Sequence, residues 1–188
     1  KNLFGLDDKT KPACSKEEQE KYFKEKQKYE DENVGVYFRN NVWWWRPLAN
    51  YIIEKIKNED WYNGKVAQRL HDNSGYGFTE EQALTIKSYL DKGLRSGEVS
   101  KLAKQNLVDI KNATKHNEKI QKKMDKLNAK IKKELGEKIV PLNYPTEYKK
   151  QWDFLYESRD WREDYPFNVK NVKEFSSFLG ECGGFEIC

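Results

Sequence analysis

Cysteine is scarce in this chain and badly spaced for either of its structural uses. Cys14, Cys182 and Cys188 are an odd set with no CxxC pair, which argues against a disulfide framework and a structural zinc site and favours a reducing setting. Long apolar runs are missing as well. No stretch approaches the roughly 20 residues that span a bilayer, and the opening KNLFGLDDKTKP has no signal-peptide core. The expectation is a cytoplasmic protein with no membrane contact. Neither sign of charge dominates: 35 basic residues against 31 acidic leave a net +4, short of the one-sided basic surface of a dedicated nucleic-acid binder. Internal repeats and Gly/Ser linkers are also lacking.

Aromatic residues are plentiful by contrast. They make up 14% of a chain in which 35% of residues are charged, so the core must be built from rings, and disorder throughout is excluded. A length of 188 residues suits one domain over 1–188, with 97–135 as an inserted helical segment. The fold class expected is mainly α with a few short strands.

Helix signals recur along the chain. Ser15 and Glu18 form a capping box that opens a charged surface helix to about Asp31, with Tyr22, Phe23 and Tyr29 as its large apolar groups. Val34 to Val42 alternates β-branched and aromatic residues and reads as a short strand or extended segment. Pro47 then suits the first turn of a helix with Leu48, Tyr51, Ile52 and Ile56 as its buried stripe. Thr79 and Gln82 begin another helix, with Ala83, Ile86, Leu90 and Leu94 facing inward.

Ile120, Met124, Leu127, Ile131 and Leu135 form a narrow heptad-like seam in a Lys/Glu-rich segment. It is expected to be a long helix or helical hairpin that packs on the body or joins copies into a homo-oligomer. Tyr144 to Phe167 reads as irregular, with Trp152, Phe154, Trp161 and Tyr165 covering the core. A last helix from about Asn168 buries Val172, Phe175, Phe178, Leu179 and Cys182 and stops at Gly183 and Gly184. Phe185 to Cys188 follows as a short edge strand.

Two stretches have the character of a site. In VYFRNNVWWWRPL, residues 36–48, Arg39, Asn40, Asn41, Trp43, Trp45 and Arg46 combine stiff aromatic surfaces, planar cationic forks and amide donors and acceptors. That set suits a flat, anionic ligand, with the two arginines clamping an anion while a ring stacks. Three consecutive residues cannot share one face, so in an extended segment Trp43 and Trp45 would line the pocket. In HDNSGYGF, residues 71–78, His71, Asn73, Gly75 and Gly77 form either a tight turn or an anion cradle leading into a capped helix. The loop fails the EF-hand pattern, since Tyr76 and Ala83 fall on ligand positions, so calcium is excluded and no metal site or cofactor is expected.

These two motifs and YPFNVKNVKEFSSFLGECGGFEIC, residues 165–188, occur in an order that resembles a family of uncharacterised proteins carried by bacteriophages and bacteria. The corresponding family stretches read GxYFRNNVWWWRPLW, GHxNxGxGL and YPFxVxNVxEFxxFLRxxGGFxIC. The likeness covers about a third of the chain. It departs at Ala49, where the pattern has tryptophan, and in the Lys/Glu-rich middle, where some relatives carry paired cysteines suggestive of zinc. The resemblance implies a shared fold and site but supplies no activity.

The leading expectation is a non-enzymatic binder of a small anionic, nucleotide-like ligand, which in a phage setting would sequester an immune signal in the host cytosol. One alternative is an enzyme on the same ligand with His71 as weak candidate acid or base. Another is an interaction module that blocks a host protein. Cys182 reads as packing, and His116 as a solvated bystander.

Overall fold

The computed structural model describes residues 15–72 and 75–187. Among them, mainly helical structure surrounds one two-stranded antiparallel sheet, in the order α1 (Lys16–Glu32), α2 (Val42–Ile56), α3 (Gly64–Arg69), β1 (Tyr76–Thr79), α4 (Glu80–Arg95), α5 (Glu98–Leu135), α6 (Thr146–Glu157), α7 (Val169–Glu181) and β2 (Gly184–Ile187). The fold class read from the sequence is the one observed. No helix among the described residues is long and apolar enough to cross a membrane.

Local signals start and stop these helices where expected. The capping boxes Ser15/Glu18 and Thr79/Gln82 are formed. They satisfy N-terminal amides that the helices themselves leave open. Asn168 caps α7, and Gly183 and Gly184 follow its end with φ of 63° and 111°. That left-handed pair turns the chain into β2, which pairs with β1 through Phe78↔Phe185 and Gly77↔Glu186. A Cβ on Gly184 would come within 2.8 Å of the Phe78 carbonyl oxygen, so this position needs glycine for conformation and for space.

Burial of rings and branched aliphatics joins the elements. The core takes Leu48, Ile52 and Ile56 from α2, Ile86 and Leu90 from α4, Val99 from α5 and Val172, Phe175 and Leu179 from α7. Helices α4 and α7 lie along each other and carry the ribbon at one end. Between them Ser176, almost fully buried, donates its hydroxyl to Asp91, which also takes Lys87 Nζ at 2.6 Å.

The long segment 97–135 resolves into the single helix α5, and the chain then returns along it. Tyr144 Oη donates to Asn128 Oδ1 at 2.8 Å, His116 Nε2 lies 2.8 Å from the Ser158 carbonyl, and Asn117 bonds both Asp160 and Glu163. Ile120, Met124 and Ile131 of the heptad-like seam are thereby buried within the chain. Leu127 is half-buried, and Leu135 stays exposed. His116 is exposed, as expected, and in addition has a backbone partner.

Three local expectations are corrected. Of the two readings of residues 34–42, strand or extended segment, the strand is not formed: Val36 N–H closes a turn on the Asn33 carbonyl at 3.0 Å, 37–41 run without helix or strand, and helix begins at Val42 because the Asn41 side chain accepts from Trp44 N–H. Pro47 consequently falls in the second turn of α2, where it cannot donate to the Trp43 carbonyl; burial of the stripe that follows holds the helix together despite that loss. Residues 146–157 form α6 rather than an irregular segment, and Phe154, 71% exposed, covers no core. Trp161 is likewise exposed.

Candidate functional site

Because the tryptophan run lies in the first turn of a helix, its members point about 100° apart. Trp45 turns inward, meeting the Phe175 ring edge-on with centroids 5.3 Å apart. Trp43 turns the other way onto Tyr165, at 5.3 Å, and remains 45% exposed. The expectation that Trp43 and Trp45 share one side is corrected, since a helix separates them by about 200°.

Trp45 forms part of the wall of a cavity of about 890 Å3 to which all three sequence motifs contribute. Asn40, Trp45 and Arg46 come from the first, His71 and Gly77 from the second, and Phe175, Phe178, Cys182 and the β2 ribbon from the third. The rings behind it are in mutual contact. Phe38 lies 5.0 Å from Phe175 and 5.8 Å from Phe178, while Phe78 stacks on Phe185 at 4.7 Å. Such a surface takes a flat apolar ring readily.

The rim carries charge. Arg46 is exposed, donates Nη1 to Tyr165 Oη at 2.8 Å and lies over the same ring, with 5.7 Å from its Cζ to the centroid. His71 follows the turn that ends α3. Burial pushes its imidazole below the ordinary value, and the positive charge of Arg46 pushes it the same way. Both effects favour the uncharged ring, whereas an arriving anion would favour its protonation. Glu186, an exposed residue of β2, also borders it. Burial raises the Cys182 thiol, a shift away from the reactive thiolate.

Asn171 is a member of this constellation that sequence reading missed. It is buried, accepts the Asn40 amide on Oδ1 at 3.0 Å, donates its own amide to the Trp44 carbonyl at 3.1 Å, and gives its backbone N–H to Asn168 Oδ1 at 2.8 Å. It ties the Asn40 segment and the tryptophan turn to α7. The sequence signal was there: an asparagine adjoining Val172 on the apolar stripe of an amphipathic helix needs a partner.

The remaining expected site residues separate, save Gly77, which stays in the cavity wall. Arg39 is exposed and outside the cavity wall, so the two arginines do not clamp one anion. Asn41 is occupied in capping α2. Gly75 has φ of 70° and donates its N–H to the Ile187 carbonyl at 3.0 Å, which makes it a turn glycine outside the wall. Gly77 has no positive φ, and a Cβ there would sit 3.5 Å from Glu186 Cγ, an ordinary contact. Asn73 lies outside the described residues.

An anion cradle at the start of α4 is also corrected: β1 intervenes, the Thr79/Gln82 box already uses that end, and Glu80 and Glu81 stand in its first turn. Among the described residues no group of three or more His, Cys, Asp or Glu side chains is placed to hold a metal ion. No family model, curated protein or solved structure matches the chain.

Proposed function

We propose that the cavity binds a small anionic, ring-containing ligand of nucleotide type without converting it. The observation that carries this reading is the adjacency of the Arg46 guanidinium and the His71 imidazole on a wall otherwise rich in aromatic rings. Arg46 offers a planar fork to a phosphate or carboxylate. An anion beside His71 would favour its protonation and so add a second positive charge, and Trp45, Phe38 and Phe178 supply the surface for the ring. A volume of about 890 Å3 is within the range of small-molecule sites. The resemblance to phage-borne proteins supplies a purpose: sequestering a nucleotide that a host uses as an immune signal.

The test is calorimetric titration with mono-, di- and cyclic nucleotides, followed by mass spectrometry of the recovered ligand. Binding by a member of the panel, with the ligand intact after long incubation, is the expected result. No binding across the panel overturns the proposal. Conversion would support the second reading, an enzyme, for which the depressed imidazole of His71 provides a neutral base.

A further inference from the structure

The near balance of charge over the whole chain conceals a local surplus. Helix α5 carries eleven lysines against five carboxylates, an excess of six where the whole chain has an excess of four. That surplus is also one-sided. At 3.6 residues per turn, Lys104, Lys111, Lys115, Lys119, Lys122 and Lys126 fall within an arc of about 80°, which over that stretch they share only with Val108. All of these positions are exposed. The row is about 33 Å long at 1.5 Å per residue, and the buried Ala113, Asn117, Ile120 and Met124 lie on the opposite side, where the returning chain packs.

Elsewhere the protein neutralises its helix-surface lysines. Lys21 pairs with Glu25, Lys28 with Glu32, Lys149 with Asp153 and Lys170 with Glu174, each across one turn of α1, α6 or α7. Along the α5 row, the residue one turn beyond Lys111, Lys115 and Lys122 is another lysine. Like charges at that spacing destabilise a helix, so the row opposes folding and suits a surface that meets negative charge. Glu118 borders the row on one side, and no carboxylate of α5 interrupts it.

We propose that this face of α5 binds the phosphate backbone of a nucleic-acid duplex without reading its sequence. The cavity draws no residue from α5, and the proposal does not depend on what the cavity holds. A row of charges of this length complements a polyanion rather than a single anion. Lysine supplies point charges, and the arc holds no Arg, Asn or Gln to read base edges. It holds no ring on which the bases of a single strand could stack. A helix lying in a membrane surface inserts its apolar face, whereas α5 has buried Ile120, Met124 and Ile131 within its own chain.

The test is fluorescence anisotropy with labelled DNA duplexes of two unrelated sequences over a range of salt concentrations, with a melting temperature for each variant. Both duplexes should bind equally, with the logarithm of affinity falling linearly with that of salt. Lys115→Gln, Lys119→Gln and Lys122→Gln combined should weaken binding at low salt by at least about tenfold and reduce the salt slope by about 0.9 for each phosphate contact removed. This variant should melt no lower than the unmodified protein, since repelling neighbours have gone. Arginine at the same three positions keeps the charge and should retain binding. Lys21→Gln, Lys24→Gln and Lys28→Gln combined, on α1, change the net charge equally and should leave affinity nearly unchanged. Equal weakening by the two glutamine triples would mean that net charge alone attracts the duplex, and would overturn the proposal. So would no binding at low salt, tighter binding of a single strand, preference for one duplex sequence, or binding to phosphatidylserine vesicles without binding to either duplex.

Discussion

The indole N–H of Trp45 donates to the backbone carbonyl of Leu70 over 2.6 Å and so joins the first turn of α2 to the turn that ends α3. The next residue along each strand of chain is a rim residue, Arg46 on one side and His71 on the other. One hydrogen bond between residues 25 positions apart thus sets the Arg46 guanidinium and the His71 imidazole beside the same cavity. Their pairing is a consequence of packing as much as of composition.

Arg46 and Arg39 should behave differently. Arg46→Ala is expected to weaken an anionic ligand by about 1.5–3 kcal/mol, the range for hydrogen bonds to charged groups. Arg39→Ala should leave affinity unchanged because Arg39 is not in the cavity wall. Parallel calorimetric titrations check both, and an equal loss in the two variants would restore the clamp that the fold separates.

Glycine positions should divide by cause. A Cβ on Gly35 would overlap the backbone carbonyl of Glu181 at the end of α7, so Gly35→Ala should cost on the order of 1–3 kcal/mol, as overpacking does. Gly77→Ala has room and should melt within a degree or two of the unmodified protein. Urea denaturation of the pair gives the comparison.

Binding should depend on pH through His71. Its folded pKa is lowered, first by burial and then by Arg46, so the unfolded chain binds the proton more readily. Stability is full above the ordinary imidazole value of about 6.5 and falls as the pH drops from there toward the lowered folded value. Bound phosphate reverses the preference by stabilising the imidazolium, so affinity should rise over the same interval. His71→Gln should flatten both profiles; a melting curve and a titration series between pH 5 and pH 8 on the two proteins will show whether it does.

Asn171→Ala should destabilise by about 1–3 kcal/mol, since it leaves the Asn40 amide and the Trp44 carbonyl short of their partner. Trp45 fluorescence and nucleotide affinity should change along with stability. Asn171→Asp retains the acceptor for Asn40 but cannot donate to Trp44, and should recover part of the loss. Recovery to the full stability of the unmodified protein would show that the Trp44 bond contributes nothing.

Met124→Asp should unfold the α5–α6 arm. It places an unpaired charge at a 4% exposed position, and the cost of burying one without a partner exceeds about 3 kcal/mol. Circular dichroism should show lost helix at a lower temperature, with ligand affinity at low temperature spared because the cavity draws no residue from α5. Loss of affinity in a folded variant would contradict this.

The features legible in the sequence were those set by short-range chemistry. Capping boxes at Ser15 and Thr79 and the glycine stop at 183–184 involve residues three or four apart, and apolar stripes such as Ala83, Ile86 and Leu90 follow the helix period. They can be read without knowing any partner. Tertiary packing decided the rest. It kept Pro47 inside α2 by burying the stripe after it, made a helix of 146–157 by laying it on α5, and covered Met124 and Ile131 with the chain itself. It also chose among the site residues: Trp45 and Arg46 face the cavity, Trp43 and Arg39 do not, and Asn171 joins from 131 positions beyond Asn40. Hydrophobic periodicity says which face of a helix turns inward but not what that face will meet, and a buried polar group finds its partner only when distant segments are brought together.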